Sequence, residues 1–453
     1  MSAMNDWLIR PEDQWFERKS FRIKPRDLAK TIVGFANAEG GTIAVGIREG
    51  NFEGKPSAKQ ENDLRQTTFD HTDPTVVVDI REEEVEGQTL LLFVIEPSAR
   101  VHYTMGGDCF LRVGDETRAL NLDEVLELRY TKGEQQFDAT PLTDVAIEEL
   151  VGVEEYAQRI GSASAYDALR AHHLVTAKEE VTTAAYLLFH PQPQQRFHNA
   201  HVRVLVWNEP HRLPGYQQQL VQDQRFEGPL PQQIRQAQDF ILEVLPTVKR
   251  LGTSGIFEEH TLIPHEVWLE GLVNAVIHRS YSLIGDHIRF EIFPDRISIS
   301  SPGRFPGLAD PSRPESIARF ARNPLVARVM AELNVGQELG EGIRRMFAGM
   351  RRVGFQDPIY QQTSGSVLLT LSTEQKLNDD RLRLLPKYSD TVLAALHLHG
   401  VPLSTGEVAV AVGISVPSAR RALQALRQNG IIQWQGKGPN DPRAAWSVEG
   451  PLR

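Results

Sequence analysis

The sequence predicts an α+β chain of several domains, and three observations carry that prediction. Its 453 residues suit two to four domains. Apolar runs of four to eight residues, bounded by Gly, Pro and Asp, read as strands. Between them lie longer stretches with the apolar spacing of amphipathic helices. A hydrophobic content of 41% and a charged content of 24% are ordinary for globular material.

The elements can be justified in order. Residues 1–135 open on a basic segment, followed by a helix in "PRDLAKTIVGFANAE" and a strand in "GTIAVGI". The runs "PTVVVDI", "TLLLFVIEP" and "CFLRVG" add strands, and "ALNLDEVLELRY" reads as a closing helix. Residues 136–260 mix helices with the strand-like "AHVRVLVW" and a Pro/Gln-rich loop, "LLFHPQPQQRF". Residues 261–374 begin with a helix and continue into a hairpin formed by "IRFEIF" and "RISIS". A polar linker, 375–388, leads to a short helical unit over 389–453 that ends in two strand-like pieces. There is no internal repeat.

Several classes drop out at once. No apolar run approaches the roughly 18 residues that cross a bilayer, and the first residues lack the apolar core of a signal peptide. The expectation is a cytoplasmic chain with no membrane partner. Cys109 is the only cysteine, which rules out an intramolecular disulfide and a multi-cysteine zinc site. It lies in a strand-like run and reads as a packed small residue. The formal net charge of −10 means that any grip on nucleic acid must come from local basic patches.

One such patch is "PEDQWFERKSFRIKPRDLAK", where Arg18, Lys19, Arg22, Lys24, Arg26 and Lys30 alternate with Trp15, Phe16 and Phe21. Cations neutralise phosphates and aromatic faces stack bases. A solvated helix start with core aromatics accounts for the same pattern. Glu12, Glu17 and Glu49 form a second pattern. If the helix and the strand after it pack antiparallel, the strand's end returns towards Glu17, and three carboxylates would converge as hard ligands for Mg²⁺ or Mn²⁺. Three surface glutamates are the plainer account, and composition alone favours it.

"ERKSF…FANAEGGTIAVGIREG" and the later "CFLRVGDETRALNLDEV" resemble the Schlafen AlbA-2 domain, a nucleic-acid-associated module, over roughly residues 10–130. In nuclease-active relatives a Glu pair five apart is joined by an acid just after the glycine-led strand. Glu12 and Glu17 keep that spacing, and Glu49 stands where Asp is usual. The resemblance implies a carboxylate metal site with Lys19 on the phosphate.

"HEVWLEGLVNAVIHRSY" is the most specific stretch. Its apolar stripe is helical, and Glu270, Asn274 and His278 recur every four residues on one face. Asn inside a helix is disfavoured unless it has a task. The order Glu-x-x-x-Asn-Ala resembles the N-box of the GHKL ATPases, which implies an α/β sandwich over 261–374 and an ATP site with Mg²⁺. In that likeness Glu270 positions water, Asn274 holds the Mg²⁺, and His278 and Gly303 line the nucleotide site. The "SPGRFPG" loop replaces the usual Asp-x-Gly-x-Gly box, the form of a divergent GHKL type often found beside AlbA-2 domains. About 60 residues on, "VGQELGEGIRRMF" offers Gly336, Gly340 and Gly342 before a helix; such glycines can cradle phosphate.

The last unit reads as helix, helix, helix and wing, and resembles a winged helix-turn-helix. Ser415, Pro417 and Gly430 suit the ends of its third helix. Over 415–443, Arg420, Arg421, Arg427, Lys437 and Arg443 stand against Asp441 alone, a local excess suited to phosphate. A protein-interaction winged helix is the alternative.

Taken together, the residues point first to a nucleotide-responsive nucleic-acid-binding regulator, DNA-directed and transcription- or stress-related. A metal-dependent endonuclease acting on tRNA-like RNA or single strands is the second reading. An ATPase scaffold without nucleic-acid work is the third. The implied partners are DNA or RNA, a nucleotide and, through apolar sheet edges, a second copy of the chain.

Overall fold

The computed structural model describes residues 6–85, 87–212, 219–251, 257–305, 307, 313–316, 320–335, 341–363, 365–374, 386–399, 402–428, 432–436 and 445–448. Two parallel strands begin the first domain: β1 (Phe16–Lys19) and β2 (Gly41–Val45), joined through helix α1 (Pro25–Asn37). Pro25 sets the first turn of α1, and Asp27 sits at its positive end. Leu28, Ile32 and Phe35 bury one face of α1 against Ile43, Leu91 and Phe93. After β2 comes a small hairpin, β3 (Ile47–Arg48) and β4 (Asn51–Phe52). Strands β5 (Val78–Val85) and β6 (Gln88–Ile95) complete a four-stranded sheet of order β1-β2-β6-β5. A hairpin of β7 (Phe110–Val113) and β8 (Glu116–Ala119) follows. Helix α2 (Leu122–Lys132) closes the domain, held at its start by reciprocal bonds between Asn121 and Glu124.

The second sheet joins strands from well-separated parts of the chain. Its elements are β9 (Val202–Trp207), β10 (Leu220–Phe226), β11 (Ile288–Ile292), β12 (Arg296–Pro302), β13 (Ile359–Gln362) and β14 (Ser366–Ser372). Their order is β10-β9-β11-β12-β14-β13, with β9 and β11 parallel and the other pairs antiparallel. Helices α3 (Leu230–Val244), α4 (His265–Ile277) and α5 (Gly342–Arg352) accompany this sheet. One apolar core runs from Leu142 to Leu371 and includes Trp268, Phe290 and Met346. The region 136–260 therefore contributes strands and core to the same module as 261–374.

The chain divides into two compact units, Met1–Thr373 and Glu374–Arg453. The second holds helices α6 (Ser389–His399), α7 (Thr405–Val412) and α8 (Val416–Gln428), and an antiparallel pair, β15 (Ile432–Gln435) and β16 (Ala445–Val448). Ser404 and Glu407 cap α7 reciprocally, and Gly413 ends it in the left-handed region at φ +69°. Val392, Val408, Leu423, Leu426 and Trp446 form this unit's own core. Most of the expected linker, 375–388, and residue Gly430 lie outside the described residues. Among the described residues no helix is long and apolar enough to cross a membrane.

Candidate nucleotide cleft and nucleic-acid interface

The N-terminal carboxylates are not brought together. Because β1 and β2 are parallel, Glu17 lies opposite Ile43, and β2 carries the chain away from it. The expected return of the strand's end towards Glu17 is corrected here: β2 stays paired beside β1, and the chain runs on into a separate hairpin before it reaches Glu49. Glu49 then falls at the tip of the β3–β4 hairpin. It and Gly50 adopt φ +51° and +78°, the turn that matches strand twist. The Glu49 side chain is 81% exposed and pairs with neighbouring Arg48 at 3.3 Å.

Glu17 is buried at the opposite extreme, with 7% of its side chain exposed, and pairs with Lys19 and with Arg112. Lys19 is thus committed to a carboxylate rather than free for a phosphate. Glu12 accepts from the Arg18 backbone N–H at 3.0 Å and lies 3.7 Å from its guanidinium. Among the described residues no cluster of three acidic, histidine or cysteine side chains could hold a metal ion. The donors present do not fit a catalytic metal at Glu12, Glu17 and Glu49.

The stretch after α1 serves structure. Asn37 is buried and donates to the carbonyls of His102 (2.8 Å) and Phe110 (2.9 Å), while its oxygen accepts from the His102 N–H (2.8 Å). It ties the helix end to two later segments. Gly41, at φ +154°, has no room for a side chain: a β-carbon there would fall 2.6 Å from the Phe35 ring and 2.7 Å from the Trp15 carbonyl oxygen. Gly41→Ala is expected to destabilise the N-terminal domain by roughly 1–3 kcal/mol. Urea unfolding checks this, and an unchanged midpoint would refute the packing argument. Burial pushes the Cys109 thiol up to about 11, so it is no nucleophile.

The basic entry splits in two. Arg18 is held inward by Glu12 and the Leu8 carbonyl. Arg22 and Lys24 are exposed, with Arg26 and Lys30 beyond them. In the C-terminal unit, Arg420, Arg421 and Arg427 are exposed along α8, and Arg427 stacks over Trp434 at 5.4 Å. Lys437 and Arg443 lie outside the described residues.

The helical face predicted around "ExxxNA" is assembled. Within α4, the Asn274 amide donates to Glu270 at 3.0 Å, and Arg345 of α5 donates to the other Glu270 oxygen at 3.1 Å. A β-carbon at Gly342 would collide with the Glu270 carboxylate, so any larger residue there would push that carboxylate from its place beside Asn274. Gly336 and Gly340 lie outside the described residues.

Beside this face opens a cavity of about 110 Å³. Asn274, His278 and Gly303 line it, with Ile299, Phe305 and Tyr360 among its apolar walls. Such a slot, apolar with a few convergent polar groups, is the usual form of a small-molecule site. Ser301 also lines the cavity, and its hydroxyl donates to the Ala275 carbonyl at 2.7 Å. Burial and nearby Arg322 depress His278 to about 4, so the ring is neutral at pH 7. Its Nδ1 finds no partner among the described residues. Mg²⁺ fits this donor set. Because the Asn274 nitrogen faces Glu270, its oxygen is the atom available to a hard cation carried by phosphates.

Residues missed by sequence reasoning are Arg112, Glu39 and Glu127. Each acts on partners far along the chain, and none sits in a local pattern.

Comparison with known proteins follows the same division. Residues 12–121 match the family model "Schlafen, AlbA_2", and residues 285–371 match the model described as "Putative ATP-dependent DNA helicase recG C-terminal". The chain is similar to the crystal structure of the DIP2311 protein from Corynebacterium diphtheriae. That likeness has 20% identity and a TM-score of 0.44, and covers 96% of this chain and 92% of that one. It is also similar to the solution NMR structure of the N-terminal domain of a RecG-related helicase-type protein from Nitrosomonas europaea. There the identity is 22% and the TM-score 0.20, covering 27% of this chain and 95% of that one. No curated protein matches.

Proposed function

We propose, for a chain that joins a Schlafen AlbA_2 domain to a recG-C-terminal-type module, a regulator that binds nucleic acid in response to a nucleotide. The observation that carries this reading is the cavity beside the Glu270–Asn274–Arg345 line, in a chain whose N-terminal domain belongs to a nucleic-acid-associated family. The cavity takes ATP, with Asn274 directed at its Mg²⁺ and Glu270 at the water side. Exposed Arg22 and Lys24 meet backbone phosphates. The C-terminal unit acts as a winged helix-turn-helix: α8 enters a major groove with Arg420 and Arg421, and DNA is the nucleic acid it suits.

Fluorescence anisotropy of labelled duplex DNA, single-stranded DNA and RNA tests the reading. Binding is expected to weaken steeply with salt, and Arg420→Ala should lower the log–log salt slope by about one. Asn274→Ala should weaken ATP·Mg²⁺ binding roughly tenfold or more, the loss of one contact to a charged group. Absence of salt-dependent binding to all three nucleic acids would overturn the proposal.

A further inference from the structure

The loop that walls the nucleotide cavity is fastened to the N-terminal domain. Gly303, Arg304 and Phe305 line the cavity. The Arg304 guanidinium donates to Glu39 at 2.5 Å, with 19% and 15% of the two side chains exposed. Glu39 lies just beyond α1, in the segment that turns into β2. It also accepts from Gln14 at 2.6 Å and Gln362 at 3.3 Å, and Gln362 accepts the Phe305 N–H at 2.8 Å.

A second fastening runs through α2. Arg322, with 2% of its side chain exposed, donates to Glu127 at 3.2 Å, to the Thr131 hydroxyl at 2.9 Å and to the Arg304 carbonyl. Ser280 and Ser282, just after α4, donate to the same Glu127. The Gly307 N–H donates to the Thr131 carbonyl at 2.9 Å. There is little slack: a β-carbon on Gly303 would fall 3.0 Å from Ser280 Cβ and 3.2 Å from Arg322 Nη2.

We infer that Glu39 and Glu127, both from the N-terminal domain, are positioning residues of the nucleotide site, and that through them nucleotide binding and nucleic-acid binding are coupled. The inference rests on the nucleotide reading above. A ligand in the cavity presses on the loop that Glu39 and Glu127 hold. Any shift of that loop is felt at the end of α1, which packs on the first sheet, and at α2, which packs against the end of α1 and β7. Linkage makes the effect reciprocal: nucleic acid must change nucleotide affinity by the same factor, typically about five- to 150-fold.

The test uses the full chain, with a fluorescent ATP analogue plus Mg²⁺ and a labelled oligonucleotide, each titrated with and without the other. Wild type is compared with Glu39→Gln, Glu127→Gln, the swapped pair Glu39→Arg/Arg304→Glu, and the remote control Glu82→Gln. Both glutamine variants are expected to bind nucleotide at least fivefold more weakly and to lose the mutual effect. Oligonucleotide affinity without nucleotide should stay at wild-type values. The urea midpoint should fall for Glu127→Gln, which leaves buried Arg322 without its carboxylate, and less for Glu39→Gln, so binding is compared well below either midpoint to separate positioning from unfolding. The swapped pair should recover part of the coupling. If wild type binds nucleotide and both glutamine variants match it within twofold, or if wild type shows no mutual effect, the inference falls alone. A wild type that binds no nucleotide overturns the site reading, and the inference with it. Should one variant fail to fold, the other carries the decision.

Discussion

Arg112→Met is expected to cost the N-terminal domain about 3–5 kcal/mol, the usual result of stripping one partner from a buried ion pair. The Arg112 side chain is fully buried. Its guanidinium donates to Glu17, to the Asp13 carbonyl (2.8 and 3.1 Å) and to the Phe16 carbonyl (3.2 Å). The group also lies over the Phe35 ring at 4.9 Å. Methionine fills similar space but leaves the Glu17 carboxylate with Lys19 and takes two donors from the Asp13 carbonyl and one from the Phe16 carbonyl. Chemical denaturation of the full chain, followed through near-ultraviolet signals, measures the loss. The double variant Arg112→Met/Glu17→Leu should be less damaged than the sum of its singles, because the orphaned charge is gone. A cost under about 1 kcal/mol for Arg112→Met would refute the assignment.

Acid should be the second large effect. His278 and His287 are each depressed to about 4, chiefly by burial, and His102, His172 and His201 are lowered by the same cause. His201 and His287 stack at 4.7 Å, so charging either one charges a ring against its neighbour. A depressed histidine binds its proton more weakly folded than unfolded. Stability is therefore intact above the unfolded value near 6.5 and is lost as pH falls towards 4. For His278 alone the loss at pH 4 is about 3 kcal/mol. Asp138 works the other way: burial raises it to about 6, so protonation below that pH favours the folded state. One such carboxyl offsets roughly one histidine, and five histidines are depressed. The thermal midpoint should fall steeply between pH 6.5 and 4, and His278→Gln/His287→Gln should flatten that fall. A flat profile in wild type would refute the argument.

What the sequence made legible follows from the range of each interaction. The Glu270–Asn274–His278 face is a helical spacing, readable within one element, and the structure assembles it. The cap at Ser415 is local chemistry and reads equally well: its hydroxyl accepts from the Ser418 N–H at 3.3 Å. The carboxylate trio depended on where the chain goes after β2, and the β3–β4 hairpin takes Glu49 to an exposed tip instead of back to Glu17. The "REGN" turn carried a usable signal, since Glu-Gly between two short strands suits a tight hairpin with an exposed tip. Arg112 reaches Glu17 from 95 residues away, and Glu39 reaches Arg304 across 265. No periodicity within either segment encodes such partners.

The strand order of the second sheet has a consequence for biosynthesis. The first sheet has all its strands once Ile95 has been made, and its closing helix ends at Lys132. The second sheet seats β9 between β10 and β11, then needs β14 to cover β12, so it stays open until Ser372 has been synthesised. At roughly 5–20 residues per second, that interval lasts on the order of tens of seconds. For most of it, until Arg304 and Arg322 have been made, the nascent chain carries a first domain whose Glu39 and Glu127 lack those partners. The final strands thus complete the cleft and join it to the earlier domain in one late step.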